Sequence, residues 1–218
     1  MTRPGWVRVD CHLHTVASGD AVTTIDELAE RARQQELDVV CVTDHNVTSA
    51  AVAAAERDIG VRIVIGEEIR TPNGDVIGLF LTERIPYVLP LGQVVSLIRG
   101  QGGLVYLPHP FDPGRSSLGA AATRLCAAGQ ADVVEVFNAK IEDQARNEQA
   151  AELAARYGLA GLRNTGVRCP SRTFTTSAQA SRIIANWRSP TRRARGRRRC
   201  CRLACWKRRS GLIRAPAS

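Results

Sequence analysis

The chain has 218 residues, 44% of them hydrophobic, which predicts one domain with a sizeable core, or one domain and a tail. Segment 1–10 lacks the apolar run of a secretory signal, and no apolar run approaches the roughly 20 residues that span a bilayer. We therefore expect a soluble cytoplasmic protein without a membrane partner, in which Cys11, Cys41 and Cys126 are buried thiols rather than disulfides.

The net charge of +9 averages two unlike parts of the chain. Residues 162–218 hold 16 of the 30 basic residues and none of the 21 acidic ones, which leaves 14 basic and 21 acidic residues in 1–161. Such an abrupt change from an acidic body to a basic tail predicts a boundary near Gly161. We expect a folded domain over 6–161 and a disordered tail over 162–218.

His12 and His14 end the first predicted strand, 7–13. Residues i and i+2 of a strand point to the same side, so these two rings aim at one spot. Paired imidazoles suit a divalent transition metal. The alternative at this point is two hydrogen-bonded histidines that line a cleft.

Helices and strands then alternate as far as residue 157. Thr24 and Glu27 form a capping-box pattern that begins a helix extending to about residue 35. Asn73-Gly74 predicts a hairpin between the apolar runs 69–71 and 76–81. The other elements are strands over 38–43, 61–65, 104–107 and 132–137, and helices over 49–58, 91–99, 118–128 and 143–157.

His45 and His109 also follow predicted strands, so all four histidines of the chain lie at strand ends. Apolar strands that alternate with helices are typical of a parallel sheet or barrel covered by helices. The carboxyl ends of the strands carry the chemistry in such folds. This distribution favours a metal site over four independent structural histidines.

A series of motifs over about 6–160 carries a resemblance to a known family. The motifs are Asp10-Cys11-His12-Leu13-His14-Thr15 with Ser18-Gly19-Asp20, Val42-Thr43-Asp44-His45, Gly66-Glu67-Glu68-Ile69, Gly74-Asp75-Val76-Ile77-Gly78-Leu79, His109-Pro110-Phe111-Asp112, and Val134-Glu135-Val136-Phe137-Asn138. Together they resemble the polymerase and histidinol phosphatase (PHP) family of metal-dependent phosphoesterases. The resemblance implies an α/β fold, a distorted barrel of seven strands and helices. It also implies two or three divalent ions, Mn, Zn, Fe or Mg, at the strand ends.

The resemblance also implies roles for individual residues. The expected metal ligands are His12, His14, Asp20, His45, Glu68, Asp75 and His109. Of the two adjacent glutamates, Glu67 is less favoured than Glu68 as a metal ligand. Asp75 occupies a place often held by His, and it is either a metal ligand or a residue that contacts the ligands without binding the metal. Asp44 would orient a neighbouring imidazole.

Arg115, in the loop after His109, is the candidate phosphate clamp, because a guanidinium donates bidentate hydrogen bonds to phosphate. The alternative is a solvated loop arginine. Asn138 and Lys140 would line the opening of the same site. The implied activity is hydrolysis of phosphomonoesters or phosphodiesters of nucleotides or oligonucleotide 5′ ends, in the manner of an exonuclease, by a hydroxide that bridges the metals.

The resemblance breaks at the C-terminal end. The family closes its site with an Asp-x-His in a Gly-Ser-Asp-Ala-His stretch, but no Asp or His follows residue 161 here. We therefore expect a barrel truncated at this end, with two ligands missing. The codons of 166–171, read one base later, can encode Gly-Ser-Asp-Ala-His. One hypothesis is thus a frameshift between about 160 and 166, natural or from sequencing.

The other hypothesis is a genuine tail that binds nucleic-acid phosphates nonspecifically by counterion release. Cys200, Cys201 and Cys205 fit no zinc pattern well. With two ligands missing, the alternative to an enzyme is a catalytically impaired metal-binding or nucleic-acid-binding remnant. The sequence does not predict the oligomeric state.

Overall fold

Apart from one hairpin, strands and helices alternate in the computed structural model of the protein, which describes residues 8–164. The strands are β1 (Val9–Leu13), β2 (Val39–Val42), β3 (Arg62–Thr71), β4 (Gly74–Leu79), β5 (Leu104–Leu107), β6 (Val133–Asn138) and β7 (Ala160–Asn164). The helices are α1 (Ile25–Gln34), α2 (Ser49–Glu56), α3 (Leu91–Gly100), α4 (Ala120–Ala127) and α5 (Gln144–Arg156). None of these helices is long and apolar enough to cross a bilayer.

The predicted capping box starts α1. The backbone nitrogen of Glu27 donates to Thr24 Oγ1 at 3.2 Å, and Glu27 Oε2 accepts from the backbone nitrogen of Thr24 at 2.8 Å. These two bonds satisfy backbone donors that the first turn of a helix leaves unpaired.

The seven strands lie side by side in chain order. β1, β2 and β3 pair in parallel, as do β5, β6 and β7, whereas β4 is antiparallel to both of its neighbours. The predicted hairpin is the cause of this reversal. Thr71 pairs with Gly74, and Gly74 has a φ of 130°, where a Cβ atom would lie 2.6 Å from the backbone of Ser117. Only glycine fits this turn without strain.

β3 is one continuous strand, whereas the sequence predicted separate strands over 61–65 and 69–71. Its first half pairs with β2 and its second half with β4. Glu67 and Glu68, which the sequence placed in a break between strands, are paired within β3 and almost fully buried. Because strand residues alternate, their side chains point to opposite faces of the sheet.

The sheet curls into a nearly closed, distorted barrel, as the resemblance implied. β7 lies against β1, and Asn164 Nδ2 donates to the carbonyl oxygen of His12 at 3.3 Å across that seam. Fully buried aliphatic side chains such as Val40, Ile77 and Leu107 fill the core. Cys11, Cys41 and Cys126 are free thiols, of which Cys11 is the least buried.

The predicted domain boundary at residue 161 falls inside β7. Leu162, Arg163 and Asn164 still pair with β6, and Leu162 is only 7% exposed, so this strand belongs to the folded unit. The remainder of the basic tail, with its cysteine cluster and its frameshift or nucleic-acid-binding interpretations, falls on 165–218, outside the described residues.

Candidate metal centre

Four imidazoles surround one buried carboxylate, that of Glu68, which is 1% exposed. His12 is in β1, His14 comes directly after β1, and His45 follows the end of β2 by three residues. Glu68 Oε2 lies 3.1 Å from His12 Nε2 and 3.0 Å from His14 Nε2, while its Oε1 lies 3.0 Å from His109 Nε2. His45 pairs with Glu68 through an isolated backbone bridge, and its Nδ1 lies 3.5 Å from Oε2.

These side chains form two groups of candidate ligands that share Glu68. One consists of His12, Glu68 and His109, all buried, and the other of His14, His45 and Glu68. In each group the ligand atoms lie within 4.8 Å of one another. Asp20 stands beside the second group, with its Oδ2 3.5 Å from His45 Nε2 and its Oδ1 3.7 Å from His14 Nδ1.

The donor atoms fit divalent ions. The Nε2 atoms of His12 and His14 lie 3.1 Å apart and converge on the same carboxylate. His45 Nδ1 and His109 Nδ1 are buried without a hydrogen-bond partner among residues 8–164. Imidazole nitrogens with carboxylate oxygens suit Zn, Mn or Fe better than Mg, which prefers oxygen ligands and water.

Charge coupling inside the cluster is strong. Burial raises the pKa of Glu68, but the imidazoles of His12, His109 and His14 outweigh burial and hold the pKa well below its usual value. Burial lowers the pKa of His12, but the carboxylates of Glu68 and Glu135 outweigh burial and raise that pKa well above its ordinary range. The buried carboxylates and the His12 imidazole therefore stabilise each other's charged forms.

Glu135 is a candidate functional residue that the sequence reasoning did not select. Its Oε1 lies 3.0 Å from His12 Nδ1 and accepts from the Tyr106 hydroxyl at 3.2 Å. Its Oε2 accepts from the backbone nitrogen of His109 at 2.7 Å and from Asn138 Nδ2 at 3.1 Å. Burial raises its pKa, but the His12 imidazole outweighs burial, and the pKa falls to about 2. A carboxylate on Nδ1 leaves Nε2 of His12 free to bind a metal.

Asp44 does not orient an imidazole. Its Oδ1 accepts from the backbone nitrogen of Thr15 at 2.6 Å, and its Oδ2 accepts from the Thr15 hydroxyl at 2.7 Å. Asp44 therefore fixes the loop directly after His14. The carboxylate that contacts an imidazole nitrogen in the way expected of Asp44 is that of Glu135. The signal for it was a carboxylate inside the otherwise apolar run 133–137.

Glu67 lies on the face of β3 opposite to Glu68. Its Oε2 accepts from the backbone nitrogen of Ile85 at 2.8 Å, and Arg84 Nε lies 3.9 Å from its Oε1. Burial raises the pKa of Glu67 to about 7. This glutamate therefore contacts the 80–90 loop rather than the imidazoles.

Asp75 lies outside both ligand groups. It is 2% exposed, and its Oδ1 lies 3.4 Å from Arg70 Nε. Burial, followed by the nearby charge of Glu68, raises its pKa. The backbone nitrogen of Asp75 donates to the carbonyl of Ser116 at 2.6 Å, which ties the start of β4 to the loop that carries Arg115.

The imidazoles open into a cavity of about 1210 Å³. The polar side chains that line it beyond the ligand groups include Arg70, Asp75, Arg115, Asn138, Lys140 and Asn164. Arg115 Nε lies 3.1 Å from Asp112 Oδ2 in an ion pair, although it makes no hydrogen bond within residues 8–164. The candidate phosphate clamp, Arg115, thus lines the same cavity as the metal ligands, together with Asn138 and Lys140.

Known proteins resemble this chain in sequence and in fold. The PHP domain profile matches residues 10–158. An uncharacterized protein of Methanocaldococcus jannaschii is 37% identical over 149 residues, which cover 63% of this chain and 85% of that protein.

Two solved structures share the fold at 19% sequence identity. One is a two-domain protein of Bacteroides vulgatus described as containing a predicted PHP-like metal-dependent phosphoesterase. Its TM-score is 0.58, over 72% of this chain and 51% of that one. The other, of Bifidobacterium adolescentis, is assigned as a metal-dependent phosphoesterase, with a TM-score of 0.62 over 81% of this chain and 95% of that one. At this identity the likeness supports the fold alone.

Proposed function

Since the chain belongs to the PHP domain family, we propose that it hydrolyses phosphomonoesters or phosphodiesters of nucleotides or of oligonucleotide 5′ ends in a metal-dependent reaction. One observation carries the proposal. The two ligand groups that share Glu68 open into the same cavity as three cationic side chains, Arg70, Arg115 and Lys140. Metal ligands beside cations suit a substrate that carries phosphate.

The residues that line this cavity would have separate roles. His12, His109 and Glu68 would hold one ion, and His14, His45 and Glu68, with Asp20 beside them, would hold the other. Bound divalent ions supply Lewis acidity and lower the pKa of water, which makes a nucleophile available near neutral pH. The guanidinium of Arg115 would neutralise and orient the phosphoryl oxygens, and Glu135 would keep His12 in the tautomer that binds metal.

The size of the cavity supports a substrate larger than a single phosphate. Cavities of roughly 300–1,000 Å³ bury most of a drug-sized ligand, and this one measures about 1210 Å³. Ala21, Val22 and Thr23 line one edge of it, and Val22 is 86% exposed. An exposed apolar side chain at the rim can contact the sugar or base of a nucleotide.

A second candidate function is binding without hydrolysis. The observation that favours it is Asn164, an amide where β7 reaches the cavity. An amide is a weaker metal ligand than a carboxylate or an imidazole. On this hypothesis the protein holds metal or nucleic acid, and its basic tail contributes salt-sensitive contacts to phosphates.

Turnover of nitrophenyl phosphates by the full chain tests the proposal. We expect manganese- or zinc-dependent hydrolysis of p-nitrophenyl phosphate or its bis-ester that a chelator abolishes and that His12→Ala lowers by at least 100-fold. Gln149→Ala, on the exposed face of α5, is the matched control and should keep full activity. A metal-loaded chain that is inactive on these esters and on a 5′-phosphorylated dinucleotide would overturn the enzymatic proposal.

Nucleic-acid binding separates the second candidate from the first. If the protein is only a binder, deletion of residues 165–218 should remove salt-sensitive binding to a single-stranded oligonucleotide. The deletion must begin after Asn164, because an earlier end would cut into β7.

A further inference from the structure

Arg70 is a cation of the cavity that the sequence reasoning did not select. It follows Glu68 by two residues in β3, so both side chains project from the same face of the sheet, and Arg70 lines the cavity of the metal ligands. Neighbouring chain segments fix its backbone. Its nitrogen donates to Asn46 Oδ1 at 2.9 Å, and its carbonyl accepts from the backbone nitrogen of Val88 at 2.8 Å.

Asp75 fixes the direction of the Arg70 side chain. The two residues are directly opposite each other in the antiparallel pairing of β3 with β4, and Asp75 Oδ1 accepts from Arg70 Nε at 3.4 Å. The carboxylate is buried, whereas the side chain of Arg70 is 55% exposed. A buried carboxylate on Nε orients the planar guanidinium and leaves its outer edge for another partner.

That outer edge is unused by the protein. Neither terminal nitrogen of Arg70 has a hydrogen bond within the part of the chain that the structure describes. Arg57 and Arg99, by contrast, use terminal nitrogens to bind Asp26 and Asp132 away from the cavity. Donors that are oriented but unpaired in a cavity fit an anion with several oxygen atoms.

A second ion pair between an arginine and an aspartate adjoins the cavity. Arg115 also approaches an aspartate, Asp112, with its Nε atom. The hydrogen bond from the Asp75 nitrogen to the Ser116 carbonyl joins the two arrangements. Two guanidinium groups, each in an ion pair with an aspartate, therefore line one cavity.

We propose that Arg70, positioned by Asp75, binds phosphate oxygens of the substrate, and that Asp75 serves this arginine rather than a metal ion. The proposal rests on the proposed function for its ligand class. Asp75 belongs to neither ligand group, and among residues 8–164 its ion pair is with Arg70. The phosphate is either the reacting group or its neighbour in an oligonucleotide.

Calorimetric titration of the metal-loaded full chain tests the proposal without turnover. The probes are inorganic phosphate and a dinucleotide whose internucleotide linkage and 5′ phosphate are both hydrolysis-resistant phosphorothioates. We expect Arg70→Ala to weaken binding by about 10-fold, the effect of one charge-assisted interaction at a partly exposed site. Arg70→Lys should restore part of it. Arg57→Ala, an exposed arginine outside the cavity, should bind both probes as the unaltered chain does.

The two probes distinguish the two sources of phosphate. A loss with both assigns Arg70 to the reacting group, and a loss with the dinucleotide alone assigns it to the neighbouring phosphate. Unchanged binding of both probes overturns the proposal. If Arg70→Ala weakens binding while the unaltered chain hydrolyses no ester, the proposed function fails and the anion site stands.

Asp75→Asn tests the positioning role. Since the amide can still accept from Nε but carries no charge, we expect phosphate affinity to fall by about 3-fold. The metal content by mass spectrometry should equal that of the unaltered chain, with the change in KM rather than kcat. Loss of one metal equivalent in Asp75→Asn would show that Asp75 is a ligand and would overturn its assignment to Arg70.

Discussion

Replacing Glu135 with glutamine leaves one acceptor oxygen where four buried donors now share two. His12 Nδ1 and the Tyr106 hydroxyl meet Oε1, and the His109 backbone nitrogen and Asn138 Nδ2 meet Oε2. The amide oxygen can serve one pair, and the amide NH₂ must then face the other. Because the backbone nitrogen of His109 can only donate, the NH₂ group is better placed toward His12.

That orientation forces a change at the metal centre. To accept from the amide, His12 must carry its proton on Nε2, the atom 3.1 Å from Glu68, and a protonated Nε2 cannot bind a metal. Loss of the carboxylate behind a metal-bound histidine weakens metal affinity by roughly 10- to 100-fold. A buried donor left unpaired costs about 1–3 kcal/mol, so the metal-free protein should lose a similar part of its free energy of unfolding.

The assay is titration of the metal-free protein with Zn²⁺ or Mn²⁺, with urea unfolding in a chelator. Glu142→Gln, at an exposed position, removes the same charge and serves as the control. Metal affinity within twofold of the control, in a variant of unchanged fold, would refute the role of Glu135. A stability loss without an affinity loss would restrict Glu135 to a structural role.

Three further predictions concern the fold. The hydrogen bonds from the backbone and side chain of Thr24 lower the pKa of Glu27 in the folded state. The ionised carboxylate therefore stabilises the fold at pH values above its unfolded-state pKa. This stabilisation is lost as the pH falls through its folded-state pKa. The gap in melting temperature between the unaltered chain and Glu27→Gln should close over that acid range. Gly74→Ala should lower the free energy of unfolding by roughly 2 kcal/mol or more in urea, because φ and space both exclude a side chain. Asn164→Ala should lower it by about 1 kcal/mol and weaken metal binding at His12, with unchanged affinity contradicting the coupling.

The sequence predicted the histidine positions and most strand residues of β1 to β6, because both follow local rules, but it did not predict β7 (Ala160–Asn164). Apolar runs of strand length and a capping box need no knowledge of distant residues, and Asn73-Gly74 alone predicts the hairpin that reverses β4. The alternation of side chains along β3 separates Glu67 from Glu68 once one of them faces the imidazoles.

The partners of buried carboxylates could not be predicted in the same way. Asp44 is next to His45 in sequence, but both of its oxygens bind Thr15, which is 29 residues away. Glu135 is 123 residues from His12, whose ring it orients. Such pairs depend on which strands become neighbours and on how the barrel curls. Neither can be predicted from the spacing of residues within a short segment. The continuity of β3 was missed for a related reason, since buried glutamates resemble a break until their partners are known.

The seam between β1 and β7 links barrel opening to metal occupancy. Within residues 8–164 the strand pairings run from β1 to β7 without a ladder that joins the two ends, and the Asn164 amide spans the gap to His12. Amide hydrogens along this edge should therefore exchange with solvent through a local opening that requires less free energy than global unfolding. Because that opening displaces His12, a bound ion must oppose it, and exchange should slow in proportion to the ratio of free metal to its dissociation constant. Deuterium uptake at the edge of β1 would then report how fully the metal centre is loaded, even before any substrate is known.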